Sequence, residues 1–222
     1  MKYLLSLLLL ITTISFNYAQ TNPENELGAW YTFSGNHKLS EKLSVSTLAQ
    51  FWLYEETENF NFGLYNAGLN YKLSPKFTTT FALGYADIDG GFNTNKPHTY
   101  EKRISEQIGF KHKILKLPID HRFRAEQRFL HKANNNKTQH RLRYRLGTKI
   151  SLNKSLFIRL HNEIVSILQE DINTENRFYS ALGINVSKNS NLQLGYLNRK
   201  INGLNLHRLQ VGLYIKTDHT KK

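Results

Sequence analysis

The sequence contains no cysteine, and this absence excludes several kinds of protein. A disulfide framework, a thiolate metal site and a lipid anchor on cysteine all require this residue. Long apolar runs are also missing after the first 19 residues, and a membrane-spanning helix needs about 20 such residues in succession. A helical membrane protein is therefore excluded.

The first residues have the features of a removable secretory signal. Lys2 supplies a positive charge, residues 4–14 are almost entirely apolar, and Ala19 is a small residue before a plausible cleavage point. The apolar run is too short to span a membrane. We expect a signal peptide at 1–19 and a short leader at 20–26.

Acidic residues are few, with 17 Asp and Glu against 30 Lys and Arg, which gives a net charge of +13. An exported protein seldom meets nucleic acid, so nucleic acid is not an expected partner. The excess of positive charge instead indicates anionic lipid, anionic glycan or small anions.

Residues 140–152, HRLRYRLGTKISL, alternate between two kinds of side chain. One set is polar or small and includes Arg141, Arg143 and Arg145, whereas the other is apolar except for Thr148. A helix would mix both sets on each face, but a strand separates them because successive side chains point to opposite sides. The segment is therefore predicted to be a strand with one polar and one apolar face.

The same alternation recurs along the chain and indicates an all-β fold. Candidate strands lie at 27–37, 43–54, 65–73, 77–88, 100–113, 119–130, 140–152, 156–164, 177–187, 192–201 and 205–216. A strand of about 12 residues, tilted by about 40°, crosses a hydrocarbon layer of about 25–30 Å. We predict an antiparallel transmembrane β-barrel of about 10–12 strands over residues 27–216, followed by a polar basic tail at 217–222.

The connections between candidate strands alternate between short polar turns and longer loops. The clearest turns are at 74–76, 153–155 and 188–191, and the longer loops are at 55–59, 87–99, 131–139 and 169–176. This asymmetry is typical of outer-membrane barrels, which usually have an even number of strands. The 27–37 segment is an eleventh strand, so it needs either an unrecognised partner or a start from the opposite side.

Glu106 interrupts the pattern, because alternation from Ile104 to Phe110 places it in the middle of an apolar face. A carboxylate in contact with lipid is unfavourable. We expect either a bulge that shifts the register or a different strand boundary at this point.

In an outer-membrane barrel the polar set faces the lumen, because an arginine on the lipid face at mid-membrane costs about 2–4 kcal/mol. Two interpretations of this set are open. Arginines and glutamates either fill the barrel with a hydrogen-bonded ladder, or arginines without acidic partners attract or hold anions. The predicted lumen-lining basic cluster is Arg122, Arg124, Arg128, Arg141, Arg143, Arg145, Arg159 and His161, with Glu126 and Glu163 as acidic partners.

Patterns that would indicate an enzyme are scarce. No histidine has a serine two residues later, the pair that outer-membrane lipid hydrolases often present. His161 and Glu163 share a face and are the one candidate acid–base pair, but a lumen ion-pair network also explains them. We expect no catalytic residue, no metal and no cofactor.

Three segments are similar to a known family: LGAWY at 27–31, RFRAEQRF at 122–129 and RLRYR at 141–145. They resemble a family of uncharacterised outer-membrane β-barrel proteins of Bacteroidota, defined as a domain of unknown function. The resemblance extends from Glu26 to Lys216 and implies an exported barrel with no assigned activity or catalytic residues. Many barrels end on an aromatic residue that the assembly machinery reads, whereas here residues 216–222 follow Tyr214-Ile215.

We therefore predict a non-enzymatic protein of the outer membrane that is structural or that passes or binds small anionic solutes. Its expected partners are outer-membrane lipid, including lipopolysaccharide, and small anions. Two alternatives remain open. One is a soluble periplasmic barrel of lipocalin type with its apolar face inward, and the other is an outer-membrane enzyme that modifies lipid or lipopolysaccharide and depends on His161.

Overall fold

The computed structural model describes residues 26–91, 97–133, 135–169 and 173–220. The predicted signal peptide, most of the leader and the last two residues of the tail lie outside these ranges. Within them, no helix is long and apolar enough to span a membrane. The elements are β1 (Leu27–Lys38), β2 (Leu43–Leu53), β3 (Phe60–Lys72), β4 (Phe77–Ile88), β5 (Thr99–Ile114), β6 (Leu117–Lys132), β7 (Asn135–Ser151), β8 (Leu156–Ile167), β9 (Asn173–Asn185), β10 (Ser190–Ile201) and β11 (Leu204–Asp218).

The eleven strands form one closed barrel in sequence order. All sequential pairs are antiparallel, and β1 closes the ring by pairing in parallel with β11. Because each hairpin reverses direction, the first and last of eleven strands run the same way. The prediction of an all-β barrel of about 10–12 strands is confirmed. Ten of the eleven strand pairs are antiparallel as predicted, and the parallel β1–β11 pair departs from the prediction.

The connections define two ends of the barrel. The turn end carries the connections at 39–42, 73–76, 115–116, 152–155 and 186–189. The loop end carries those at 54–59, 89–98, 133–134, 168–172 and 202–203. β1 starts at the loop end. Of the two expectations for the 27–37 segment, a start from the opposite side is therefore the correct one.

Three connections at the loop end are shorter than the sequence pattern suggests. The predicted loop at 169–176 is wrong in its second half, because residues 173–176 belong to β9 and pair with residues 164–167 of β8. The predicted loop at 131–139 is wrong, because residues 135–138 extend β7 and pair with residues 129–132 of β6. Backbone hydrogen bonds continue this hairpin although no apolar alternation marks it. β10 and β11 are joined by Asn202 and Gly203, which have φ of 51° and 80°. Positive φ at both central residues is what a two-residue hairpin turn requires, and this dipeptide favours it.

Alternation along the strands separates an inner from an outer face. On β7, Arg141 is buried, whereas Leu142 and Leu146 are 49% and 43% exposed on the outside. Outward aromatic side chains such as Tyr65 and Phe123 are more than half exposed. The barrel thus has an apolar exterior and a polar interior.

Glu106 lies on the outer face near the middle of β5, between Phe81 on β4 and Ala125 on β6. The register of β5 is continuous with both neighbours, so the expected bulge is absent. β5 also begins and ends within one residue of the predicted bounds, so neither expected explanation is correct. A one-residue slip would bring Glu106 inward but would turn all the remaining side chains of β5 to the wrong face. The strand instead keeps its register and leaves this one carboxylate in an apolar groove of about 800 Å³.

The parallel seam makes a testable prediction. Phe33 on β1 and Leu213 on β11 are register partners on the outer face. Because the chain has no cysteine of its own, a Phe33→Cys/Leu213→Cys variant is expected to cross-link within the molecule under oxidation or with a short bis-thiol reagent. The measurement is the mobility of the unfolded protein on a gel.

The matched control is Phe33→Cys/Leu209→Cys. Leu209 is the register partner of Ala29, and it lies about 13 Å along the strand from Leu213. Equal cross-linking of the two double variants would contradict the parallel register.

Candidate functional site

The inner face of the barrel carries all eleven arginines of the sequence. Seven of these belong to the predicted lumen cluster, and His161 and Glu163 of that prediction also lie on the inner face. The sequence pattern missed Arg103, Arg177, Arg199 and Arg208. Each of these stands alone among the inward residues of its strand, so no repeated guanidinium marks them.

Within the described ranges, five carboxylates on the inner face pair with these arginines, and each contacts at least two of them. Glu101 accepts from Arg103 at 2.5 Å and from Arg128 at 2.6 Å. Arg208 instead donates to the backbone oxygens of Glu26 and His207. Arginines exceed their acidic partners by six. The five acids are Glu101, Asp120, Glu126, Glu163 and Glu175.

Glu126 is the centre of this network. Its carboxylate accepts from Arg141 Nε at 2.5 Å and from Arg143 Nη1 at 3.1 Å. Arg124 and Arg103 approach it at 3.5 and 3.8 Å, and its side chain has no exposed surface. Arg124 and Arg143 are direct register partners on β6 and β7. This like-charge pairing is unfavourable unless an acid lies between them, and Glu126 fills that role.

A second like-charge pair, Arg122 and Arg145, lies two residues nearer the turn end. Here each arginine turns to a different acid. Arg122 donates to Glu163, which also accepts from Arg143 at 2.5 Å. Arg145 donates to Asp120 at 3.2 Å, and Arg159 donates to the same carboxylate at 2.7 Å.

The network ends on an aromatic cluster toward the loop end. The rings of Trp30 and Trp52 are stacked with centroids 3.7 Å apart and planes 4° apart. The guanidinium of Arg177 lies 5.2 Å from the Trp52 ring, and that of Arg199 lies 5.5 Å from it. These are cation–π distances, and they join β9 and β10 to β1 and β2 across the lumen.

A cavity of about 480 Å³ remains between these groups. It is lined by Arg122, Arg143 and Arg145, whose Nε atoms are buried without a hydrogen-bond partner. A guanidinium can only donate hydrogen bonds, so the cavity presents unused donors and a surplus of positive charge. An acceptor-rich, negatively charged group fits these conditions.

In the candidate acid–base pair the carboxylate is already held by arginines. Glu163 is engaged by Arg122 and Arg143, and the His161 ring packs on Tyr179 with centroids 4.7 Å apart. Over the described ranges, no three His, Asp or Glu side chains gather as they would around a metal ion.

Comparison with known families adds one finding. Residues 27–210 match the family described as Protein of unknown function (DUF2490). The chain belongs to the DUF2490 family. No curated protein matches the chain. The predicted membership of a family without an assigned function is confirmed for this DUF2490 protein, whereas its bacterial group and its membrane stay predictions.

The shared carboxylate at the centre of this DUF2490 barrel makes a stability prediction. Glu126→Gln leaves four guanidinium groups without their common charge, and breaking a buried ion pair costs about 3–5 kcal/mol. We expect the free energy of unfolding in urea to fall by about 3 kcal/mol. The control is Glu106→Gln, the same change on the outer face. A loss no larger than that of the control would contradict the central role of Glu126.

Proposed function

We propose that this DUF2490 protein is an outer-membrane β-barrel that binds small anions in its lumen. The observation that carries the proposal is the sharing of five carboxylates among the inner arginines, which leaves unused donors around a cavity. The proposal has two parts, the membrane and the anion, which rest on different features.

The membrane part rests on strand length and on the outer face. The strands have 11 to 17 residues, which is enough to cross a hydrocarbon layer when tilted. Large apolar side chains are exposed around the outside, and the arginines are confined to the inside. The predicted signal peptide agrees with export. A soluble lipocalin-like barrel would show the opposite arrangement, with its apolar side chains inward.

The anion part rests on charge and hydrogen bonding. Water or an anion can satisfy the buried Nε atoms, but only an anion also offsets part of the surplus positive charge. Every inner arginine already has at least one partner in the described structure, so the anion would join a preorganised network. It would not have to order free side chains.

A structural role is the second candidate, and one observation favours it. The Trp30–Trp52 stack and the guanidinium of Arg177 meet across the lumen, so side chains bridge the interior near the loop end. A barrel filled in this way would be stable without being a channel. An enzymatic role has less support, because Glu163 is held by arginines.

The membrane part predicts the effect of removing the outward carboxylate. In phospholipid vesicles Glu106→Leu is expected to raise the free energy of unfolding by about 1 kcal/mol, because lipid no longer contacts a polar group. Tryptophan fluorescence during urea unfolding measures the change. Glu58→Leu, in the 54–59 connection, is the control and should have little effect. Folding in buffer without lipid or detergent would refute the membrane part.

The anion part predicts that inorganic phosphate binds residues 20–222 refolded in a zwitterionic detergent. Arg122→Gln/Arg145→Gln should weaken the affinity at least about tenfold, because two charge-assisted donors are lost. In this variant Asp120 keeps Arg159, and Glu163 keeps Arg143, so no acid is left alone. Titration calorimetry measures the affinity.

Arg208→Gln is the matched control, because Arg208 contacts backbone oxygens and none of the five inner acids. Equal loss in the control and the double variant would point to bulk charge. A folded barrel that binds no phosphate would overturn the anion part and favour the structural role.

A further inference from the structure

The lumen has two chemically different walls. β5 to β11 contribute the arginines and β5 to β9 the acids, whereas the described inner positions of β1 to β4 carry no charged side chain away from the strand ends. We call these two sides the arginine wall and the neutral wall. The neutral wall comprises Thr32, Ser34, Ser46, Gln50, Asn66, Asn70 and Thr80, all of which line the same cavity as the arginines.

The two walls face each other. β7 carries Arg143 and Arg145 and lies on the opposite side of the eleven-stranded ring from β1 and β2, which carry Thr32 and Gln50. The cavity between them, about 480 Å³, falls within the range of about 300–1,000 Å³ typical of small-molecule sites. An inorganic anion bound at the arginines would leave much of that space to water.

The neutral wall is ordered by its own hydrogen bonds. Gln50 Nε2 donates to Thr32 Oγ1 at 3.1 Å. Thr80 Oγ1 donates to Asn70 Oδ1 at 2.8 Å, and Asn70 Nδ2 donates to Ser44 Oγ at 3.3 Å. Hydroxyl and amide groups both donate and accept, whereas guanidinium only donates. The neutral wall therefore complements ligand groups that also do both, and hydroxyls are the simplest of these.

Toward the loop end the cavity offers one more neutral donor. Trp52 lines it, and its indole Nε1 is buried without a hydrogen-bond partner. An indole N–H pairs with an acceptor such as a hydroxyl or ether oxygen. This neutral donor lies beside Arg177 and Arg199, whose guanidinium groups contact the face of the Trp52 ring.

We infer that the ligand is an organic anion with several hydroxyl groups, of the size of a sugar phosphate or sugar sulfate. Its anionic group lies against Arg122, Arg143 and Arg145, and its hydroxyls lie against Gln50 and Asn66. This inference rests on the proposed anion binding and adds the class of ligand.

The experiment compares inorganic phosphate, glucose 6-phosphate and glucose by titration calorimetry of the refolded barrel. Glucose 6-phosphate is expected to bind about tenfold or more tightly than phosphate, the gain of one or two added hydrogen bonds. Glucose alone should bind weakly, because it lacks the anion. Gln50→Leu/Asn66→Leu should reduce the affinity for glucose 6-phosphate to that for phosphate and leave phosphate binding unchanged.

Asn36→Leu is the control, since Asn36 lies on the inner side of β1 outside the residues that line the cavity. The milder Asn66→Ala replaces the double variant if that fails to fold. Equal affinities for phosphate and glucose 6-phosphate would overturn the inferred ligand class while the anion site stands. An unchanged affinity for glucose 6-phosphate in Gln50→Leu/Asn66→Leu would also overturn the inferred ligand class. Absence of binding by both anions would remove the anion part of the proposed function and this inference together.

Discussion

The arrangement of ion pairs inside the barrel depends on the small number of carboxylates relative to arginines. Each inner acid contacts at least two arginines, so no ion pair is independent of its neighbours. The contacts run from Glu101 through Arg103 to Glu126, then through Arg143 to Glu163. A shared network of this kind links β5, β6, β7 and β8 through their side chains as well as their backbones. Because eleven arginines accompany only five of these acids, six positive charges also stay without a neutralising carboxylate among them.

The rest of the lumen follows from the same constraint. The long arginine side chains pair with acids of their own or nearby strands, and the cavity-lining residues of the facing strands β1 to β4 are uncharged. Within the neutral wall the strands pack closely, because a Cβ added at Gly68 would lie 2.9 Å from Ser46 Oγ on the neighbouring strand. Toward the loop end the wide space is filled by the stacked rings of Trp30 and Trp52. Arginines and acids thus lie on one side of the interior and small polar groups on the other, and the aromatic rings contact Arg177 and Arg199 near the loop end.

Much of this arrangement could be predicted from the sequence, because strand alternation is a local property. It assigned Arg141, Arg143 and Arg145 to the inner face and gave the barrel's size. The sharing of Glu126 could not be predicted, since it depends on the register between strands. The parallel partner of β1 was missed for the same reason, because residues 27–38 pair with residues 207–218. For Glu106 the alternation was correct. It placed the carboxylate on the outer face, where the structure has it, although a carboxylate among apolar side chains is unfavourable.

The parallel seam also determines where the two ends of the folded chain emerge. Leu27 starts β1 at the loop end, and Asp218 finishes β11 at the turn end, so the ends of the barrel are separated by its full height. Circular permutation of most compact domains needs only a short linker. Here a linker would have to span roughly 30 Å outside the barrel or pass through the lumen. Fusions to the two termini would therefore report on opposite rims.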